Sequence, residues 1–109
     1  MSLVAGLELK VFDSATLSSA YQNLGTPLAN RCYTAVFSNE STVSVLITSD
    51  GSTDQIRLSP GQILPLKFYD RSDTVTAAGY VFRKGTQLKI KQVTAAGTGD
   101  IIVNILTAA

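Results

Sequence analysis

The chain has 109 residues, of which 45% are hydrophobic and only 16% are charged, a charged share below the roughly 25% of ordinary soluble domains. Nine basic and eight acidic residues leave a net charge of +1, which predicts neither nucleic acid nor a membrane as a partner, because the global field is too weak to attract either. A chain of this length has room for one hydrophobic core, so we expect a single domain over residues 1–109.

The first part of the chain reads as extended segments with polar connections. Residues 1–6 are expected to form an extended arm that adds to the sheet edge of a neighbour, with Leu3 and Val4 as contact residues. Leu7 to Phe12 alternates between an apolar and a mixed face, which predicts a first strand. A loose connection follows, with a short strand or turn around Tyr21 to Leu24.

The middle of the chain alternates strand patterns with turn signals. Arg31 to Ser38 and Thr42 to Thr48 are rich in β-branched and aromatic residues, and we expect them to pair as an antiparallel hairpin. The Asp50-Gly51 pair predicts a tight turn before a strand at Gln55 to Leu58. Pro60-Gly61 predicts a type II turn, because proline presets φ at one central position and glycine supplies positive φ at the next.

The last third contains three strand patterns. In Ile63 to Phe68, Pro65 has no amide proton, which predicts an edge or bulge position. A long polar loop is expected at Asp70 to Gly79. Thr86 to Val93 follows as a strand with one face expected to be buried and the other exposed to solvent. Ile101 to Leu106 is apolar on both faces, as in a central strand or an oligomer contact. We expect the interface with other subunits to include Leu3, Val4, Pro65, Ile102 and Leu106.

Seven to eight short strands, spaced by turn signals about every ten residues, predict an all-β fold. Helical periodicity is nearly absent. The pattern favours two packed antiparallel sheets, a β-sandwich.

The sequence offers little for catalysis. Histidine is absent, which removes the commonest general base, the usual nucleophile pairs and the commonest transition-metal ligand. The acidic residues stand mostly beside turn signals, where they bond their own backbone. We expect no catalytic residues and no enzyme activity.

Cofactor and metal sites are not expected either. Asp50 to Asp54 and Asp70 to Asp73 carry acids at spacings that could suit calcium, but neither matches an EF-hand loop and turn chemistry explains them better. The glycines form no phosphate-binding motif. The single cysteine, Cys32, lies in an apolar strand, which favours a buried structural thiol and leaves no partner for an intramolecular disulfide.

Several turn motifs together resemble those of small virion proteins of tailed bacteriophages. They are Asn39-Glu40-Ser41 after a strand, Asp50-Gly51 in a hairpin, Leu58-Ser59-Pro60-Gly61, and Lys84-Gly85-Thr86 at a strand start. The resemblance runs from Arg31 to the C-terminus.

This resemblance implies a jelly-roll-like virion component that is made in the host cytoplasm. It implies a homo-oligomer that binds the phage major capsid protein, or another virion protein, as a decoration or cement protein and stabilises the shell. A head–tail connector or tail accessory protein is an alternative within the same class. From another class, the tyrosines and polar loops leave open a carbohydrate- or receptor-binding sandwich.

Overall fold

The computed structural model describes residues 4–30, 32–51, 56–67 and 82–108. The described chain forms eight strands and one short 3₁₀ turn at Ser14–Thr16. The strands are β1 (Val4–Asp13), β2 (Gln22–Asn23), β3 (Cys32–Asn39), β4 (Val45–Thr48), β5 (Ile56–Leu58), β6 (Ile63–Lys67), β7 (Lys89–Gln92) and β8 (Asp100–Ala108). The all-β prediction is confirmed, including the short strand expected near Tyr21 to Leu24.

The strands form two four-stranded antiparallel sheets. Sheet A has the order β1-β8-β3-β6 and sheet B the order β2-β7-β4-β5. The first strand pairs with the last, the second with the seventh, the third with the sixth and the fourth with the fifth. This nested pairing is that of a hairpin rolled into a jelly roll. The predicted β-sandwich is confirmed.

The expected hairpin between Arg31 to Ser38 and Thr42 to Thr48 is wrong. β3 lies in sheet A, between β8 and β6, whereas β4 lies in sheet B. The chain crosses between the sheets at Asn39, which is 1% exposed. The side-chain NH₂ of Asn39 donates to the backbone carbonyl oxygens of Val43 and Leu58, and its side-chain oxygen accepts from the Ser41 backbone N–H. These bonds hold the chain in a bend that leads from sheet A to sheet B. A hairpin would instead require the chain to fold back within sheet A.

Other local predictions are confirmed. Pro65 lies on β6, an edge strand of sheet A. Gly61 has a φ of 79°, and the Gln62 amide donates to the Ser59 oxygen over 3.0 Å, as a type II turn requires. β8 is a central strand, one of the two positions that the apolar residues on both of its faces predicted.

The core lies between the sheets and is almost entirely aliphatic. Phe37 is its largest fully buried side chain, and its ring meets that of Phe82 edge-on, with centroids 6.4 Å apart. The buried hydrophobic residues are Leu17, Leu24, Leu28, Cys32, Ala35, Phe37, Val45, Ile47, Leu58, Leu88, Ile90, Ile101, Val103 and Ile105. Such interdigitated burial is the main stabilising term of a sandwich.

Strand β1 presents its faces in an unusual sense. Glu8, Lys10 and Phe12 are paired with Ile105, Val103 and Ile101, and therefore point inward. The apolar side chains at 7, 9 and 11 point outward. Opposite the inward side of β1 lies the loop 24–30, whose polar groups bond to Glu8 and Lys10. The charged side chains are thus needed on the inside of this edge strand.

Some predictions fall wholly or partly outside the described residues. Leu3, the rest of residues 1–3, and the loop Asp70 to Gly79 lie there. Of the expected arm over residues 1–6, positions 4 to 6 form the beginning of β1, where Val4 is opposite Ala108 of the same chain.

Candidate functional site

The outward side of sheet A is a broad surface built from all four of its strands. The antiparallel register arranges its side chains in three rows across the strands, because paired residues share a face. The first row is Leu7, Leu106 and Thr34, with Lys67 at its corner position. The middle row is Leu9, Asn104, Val36 and Pro65. The third row is Val11, Ile102, Ser38 and Ile63.

This outer face of sheet A is mostly apolar and well exposed. Leu7 is 79% exposed, Leu9 61%, Val11 48% and Ile63 64%. Single exposed aliphatic residues are ordinary on protein surfaces, whereas neighbouring ones on a single sheet face make that face a candidate for contact with another molecule. None of the side chains that the structure describes in the three rows is charged.

The predicted interface residues separate into two groups. Pro65, Ile102 and Leu106 lie together on this face, on β6 and β8. Val4 lies at the start of β1, at the end of the same sheet. Leu3 lies outside the described residues. The structure therefore brings three of the five onto one surface.

Sequence reasoning missed the most exposed part of this face. Leu7, Leu9 and Val11 form its β1 column, and Ile63 one of its corners. The signal was the alternation in Leu7 to Phe12, in which the mixed face carries Glu8 and Lys10. Alternation alone does not say which face is buried, and a charged inward face is rare enough to be passed over.

One end of the face is acidic. Asp13 and Asp100 are paired across β1 and β8. The backbone N–H of Glu40 donates to the backbone carbonyl oxygen of Asp100 over 2.9 Å, which places Glu40 beside them. All three side chains are exposed. Asp13 also has a local role, since its carboxylate accepts from the Ala15 amide at the start of the 3₁₀ turn. The outer face of sheet A thus differs between the two ends of its strands, with an acidic row at one end and the Lys67 position at a corner of the other.

The outward side of sheet B has a different character. Arg57 and Lys91 are both paired with Leu46, and Lys89 with Thr48, so three cations stand on this side. The Lys91 ammonium lies 4.7 Å from the centre of the Tyr21 ring, where it covers the ring face. The two faces of the sandwich are therefore chemically distinct, because the outward side of sheet B carries three cations and the three rows on sheet A are mostly apolar.

The residues weighed for chemistry take structural positions. Cys32 is fully buried, and its thiol donates to the Thr34 oxygen. Burial raises the pKa of this thiol from 9.0 to about 11, so it is a poor nucleophile at neutral pH. The prediction of a buried structural thiol is confirmed. Asp50 accepts a hydrogen bond from the Thr48 hydroxyl over 2.7 Å, which is a turn role.

The described residues hold neither a cluster suited to a metal ion nor a helix suited to span a membrane. In that part of the chain, no three histidine, cysteine or acidic side chains come together as a metal ion would require. The same residues include no helix with the length and hydropathy needed to cross a bilayer.

Comparison with known proteins gives a match of fold only. No family model and no curated protein matches the chain. A solved structure described as "Bacillus endospore appendages form a novel family of disulfide-linked pili" matches with a TM-score of 0.51 and 14% identity. The match covers 99% of this chain and 91% of that chain. At this identity the chain shares the fold of that pilus protein.

Proposed function

We propose that this protein is a non-catalytic structural component of a tailed-bacteriophage virion, which binds the capsid shell as a symmetric oligomer and stabilises it as a decoration or cement protein. The observation that carries the proposal is the mostly apolar outer face of sheet A, where Leu7, Leu9 and Ile63 are exposed and the charged positions lie at the ends. A surface of this kind is poorly suited to water and well suited to burial in a protein assembly.

The turn motifs and the apolar outer face of sheet A support the same role. The resemblance of the turn motifs from Arg31 onward is to virion proteins, whose role is to bury surface against copies of themselves or a shell. A low-charge chain with an apolar sheet face has the surface for this role. The fold is also used by the pilus protein, whose description names an assembly. Disulfide linkage is not part of the proposal, because Cys32 is buried and its thiol pKa is about 11.

The carbohydrate-binding alternative receives less support. Sugar-binding platforms need an aromatic ring with an open face. The Lys91 ammonium covers one face of the Tyr21 ring, and Tyr33 on β3 is only partly exposed. Tyr69 and Tyr80 lie outside the described residues. A glycan array tests this alternative directly, and hits that depend on Tyr21 would favour it over the virion proposal.

Shell binding is the decisive test. The purified protein is mixed with capsids of the phage encoded by the same genome, after the capsids have been emptied and stripped of accessory proteins, and the mixture is sedimented. We expect saturable co-sedimentation at a fixed ratio to the major capsid protein, and a higher temperature of capsid disruption. Binding to purified tails instead would favour the tail accessory alternative. Binding to neither would contradict the proposal.

A further inference from the structure

We propose that the outer face of sheet A pairs with the same face of a second copy, about a two-fold axis that runs across the strands through the middle row. This inference rests on the proposed function, since it names the partner that covers the face. It places Leu9, Asn104, Val36 and Pro65 opposite their own counterparts, because these four lie in one line across the sheet.

The first support is the match between the rows. A two-fold axis along the middle row reverses the strand direction and leaves the strand order unchanged, so the first row of one copy meets the third row of the other. Leu7 then faces Val11, and Leu106 faces Ile102. Thr34 faces Ser38, so that hydroxyl meets hydroxyl. In the β1 and β8 columns aliphatic groups therefore meet aliphatic groups, as a sheet interface about 10 Å thick requires. In the β6 column, at the rim of the interface, the Lys67 position faces Ile63.

The second support is Asn104, the polar residue at the centre of the face. It is exposed and forms no side-chain hydrogen bond with the part of the chain that the structure describes. Covering it with an apolar partner would leave a donor and an acceptor unsatisfied. A carboxamide has both functions, so two Asn104 side chains on a two-fold axis can bond each other reciprocally. One polar residue in an apolar interface also fixes its register.

The third support is the charge at the end of the face. Two sheets can also stack with their strands parallel, about an axis along the strands. That arrangement would bring Asp13, Glu40 and Asp100 of both copies to the same end, where six carboxylates would repel. The antiparallel arrangement places the two acidic ends at opposite ends of the interface. Charge therefore selects the antiparallel orientation.

The free edge of β1 is a less suitable contact. An edge strand can pair with a neighbouring copy, and inward-pointing charges and bulges are among the features that oppose such pairing. β1 has both, because Lys10 points inward and the register shifts between Val4 and Gly6. The face of the sheet, not its edge, is the surface without such protection.

The size of the face sets the expected affinity. Four strands span about 19 Å, and the face extends roughly 20–30 Å along the strands. Two copies would bury on the order of 1,000 Å² together, at the lower limit for a specific interface. We therefore expect a dissociation constant on the order of 10–100 micromolar, so that pairing is favoured where the protein is concentrated in an assembly.

Charge substitutions at Asn104 test the axis. In sedimentation velocity from roughly one to several hundred micromolar, the wild-type chain should pass from monomer to dimer. Asn104→Asp and Asn104→Lys should each remain monomeric over that range, because like charges would face each other on the axis. An equal mixture of the two should again form dimers, because opposite charges then face each other.

The matched control lies on the other sheet. Asn23 is exposed on β2, beside Lys89 on the outward side of sheet B. Asn23→Asp and Asn23→Lys should dimerise like the wild type, and all four variants should melt at the wild-type temperature. A strictly monomeric wild type, Asn104 variants that dimerise normally, or a mixture that stays monomeric would each overturn the pairing. Shell binding has its own assay and can succeed while the pairing fails.

Discussion

The Lys10 ammonium lies 3.1 Å from a carboxylate oxygen of Glu8, and both groups are on the inward side of β1. Lys10 is 5% exposed and also donates to the Thr26 hydroxyl over 3.1 Å. The other Glu8 oxygen accepts from the Ala29 amide. The pair fastens the loop 24–30 over an edge strand that would otherwise have no opposite strand to pack against.

Removing the cation alone should therefore destabilise the fold. We expect Lys10→Ala to lower the free energy of unfolding by about 2–3 kcal/mol, which is less than the 3–5 kcal/mol of a fully buried pair because Glu8 keeps some solvent contact. Urea denaturation measures the change. The double change Glu8→Gln with Lys10→Met should recover much of the loss, and Lys84→Ala, which is exposed, should stay within about 0.5 kcal/mol. A single-variant loss no larger than this control would show that the pair does not hold the loop.

Gly99 should tolerate no side chain. Its φ is 94°, and an added Cβ would lie 3.0 Å from the Ser41 Cα and closer still to the Glu40 carbonyl oxygen. We expect Gly99→Ala to cost about 3 kcal/mol or more, from backbone strain and collision together.

Gly61→Ala isolates the strain term, because Gly61 has a φ of 79° and an added Cβ would have no atom within 4 Å. This control should cost about 1–2 kcal/mol. Equal losses in the two variants, measured by chemical denaturation, would mean that the contact between residue 99 and the crossover at Glu40 is not tight.

The Cys32 thiol predicts a loss of stability in alkaline solution. Its pKa is raised to about 11 in the folded chain, from 9.0, so the unfolded chain loses this proton first. The contribution is complete below pH 9 and is lost as the pH rises through 11. With about 1.4 kcal/mol per pH unit, the thiol accounts for roughly 2 kcal/mol over this interval.

The contribution of Cys32 can be separated from other alkaline titrations by substitution. Denaturation curves of the wild type and of Cys32→Ala are compared from pH 8 to pH 11, and the gap between them should narrow as the pH rises. A constant gap would argue against the raised pKa. A thiol reagent at pH 8 should also react much faster with the denatured than with the native wild type.

The exposed leucines of β1 should matter for assembly and not for folding. Since Leu7 and Leu9 are 79% and 61% exposed, the double change to threonine should alter the free energy of unfolding by no more than about 0.5 kcal/mol per site. Threonine keeps the strand propensity. Co-sedimentation with capsids should fall several-fold, because a weaker dimer presents fewer linked contacts. A large loss of stability would instead place these residues in a core.

The features that follow from local chemistry were predictable from the sequence. Pro65 lies on an edge because it lacks an amide proton, and Gly61 makes its turn because it accepts positive φ. The two apolar faces of β8 correctly indicated a central strand. Each of these depends on a residue and its immediate neighbours, so no knowledge of the rest of the chain was needed.

The features that depend on distant parts of the chain could not be predicted from the sequence. The segment after Asn39 has the composition of a hairpin turn, but side-chain bonds from Asn39 to Val43 and Leu58, and backbone bonds from Glu40 and Thr42, direct the chain to the other sheet. The outward direction of Leu7 and Leu9 depends on the loop 24–30, which supplies partners for Glu8 and Lys10. The alternating sequence pattern therefore could not predict the largest part of the candidate surface, although Pro65, Ile102 and Leu106 were correctly assigned to it.

The nested pairing of the strands has a consequence for how the chain folds. β8, which follows the other seven described strands along the chain, lies between β1 and β3 in sheet A. Until it is made, β1 has no partner in its sheet and β3 lacks one of its two. Such long-range pairing slows folding, because the entropy cost of closing a large loop comes before any stabilising contact has formed. During translation the backbone amide and carbonyl groups of β1 thus stay unpaired, and nascent chains held close together can pair through this strand before the sheet forms.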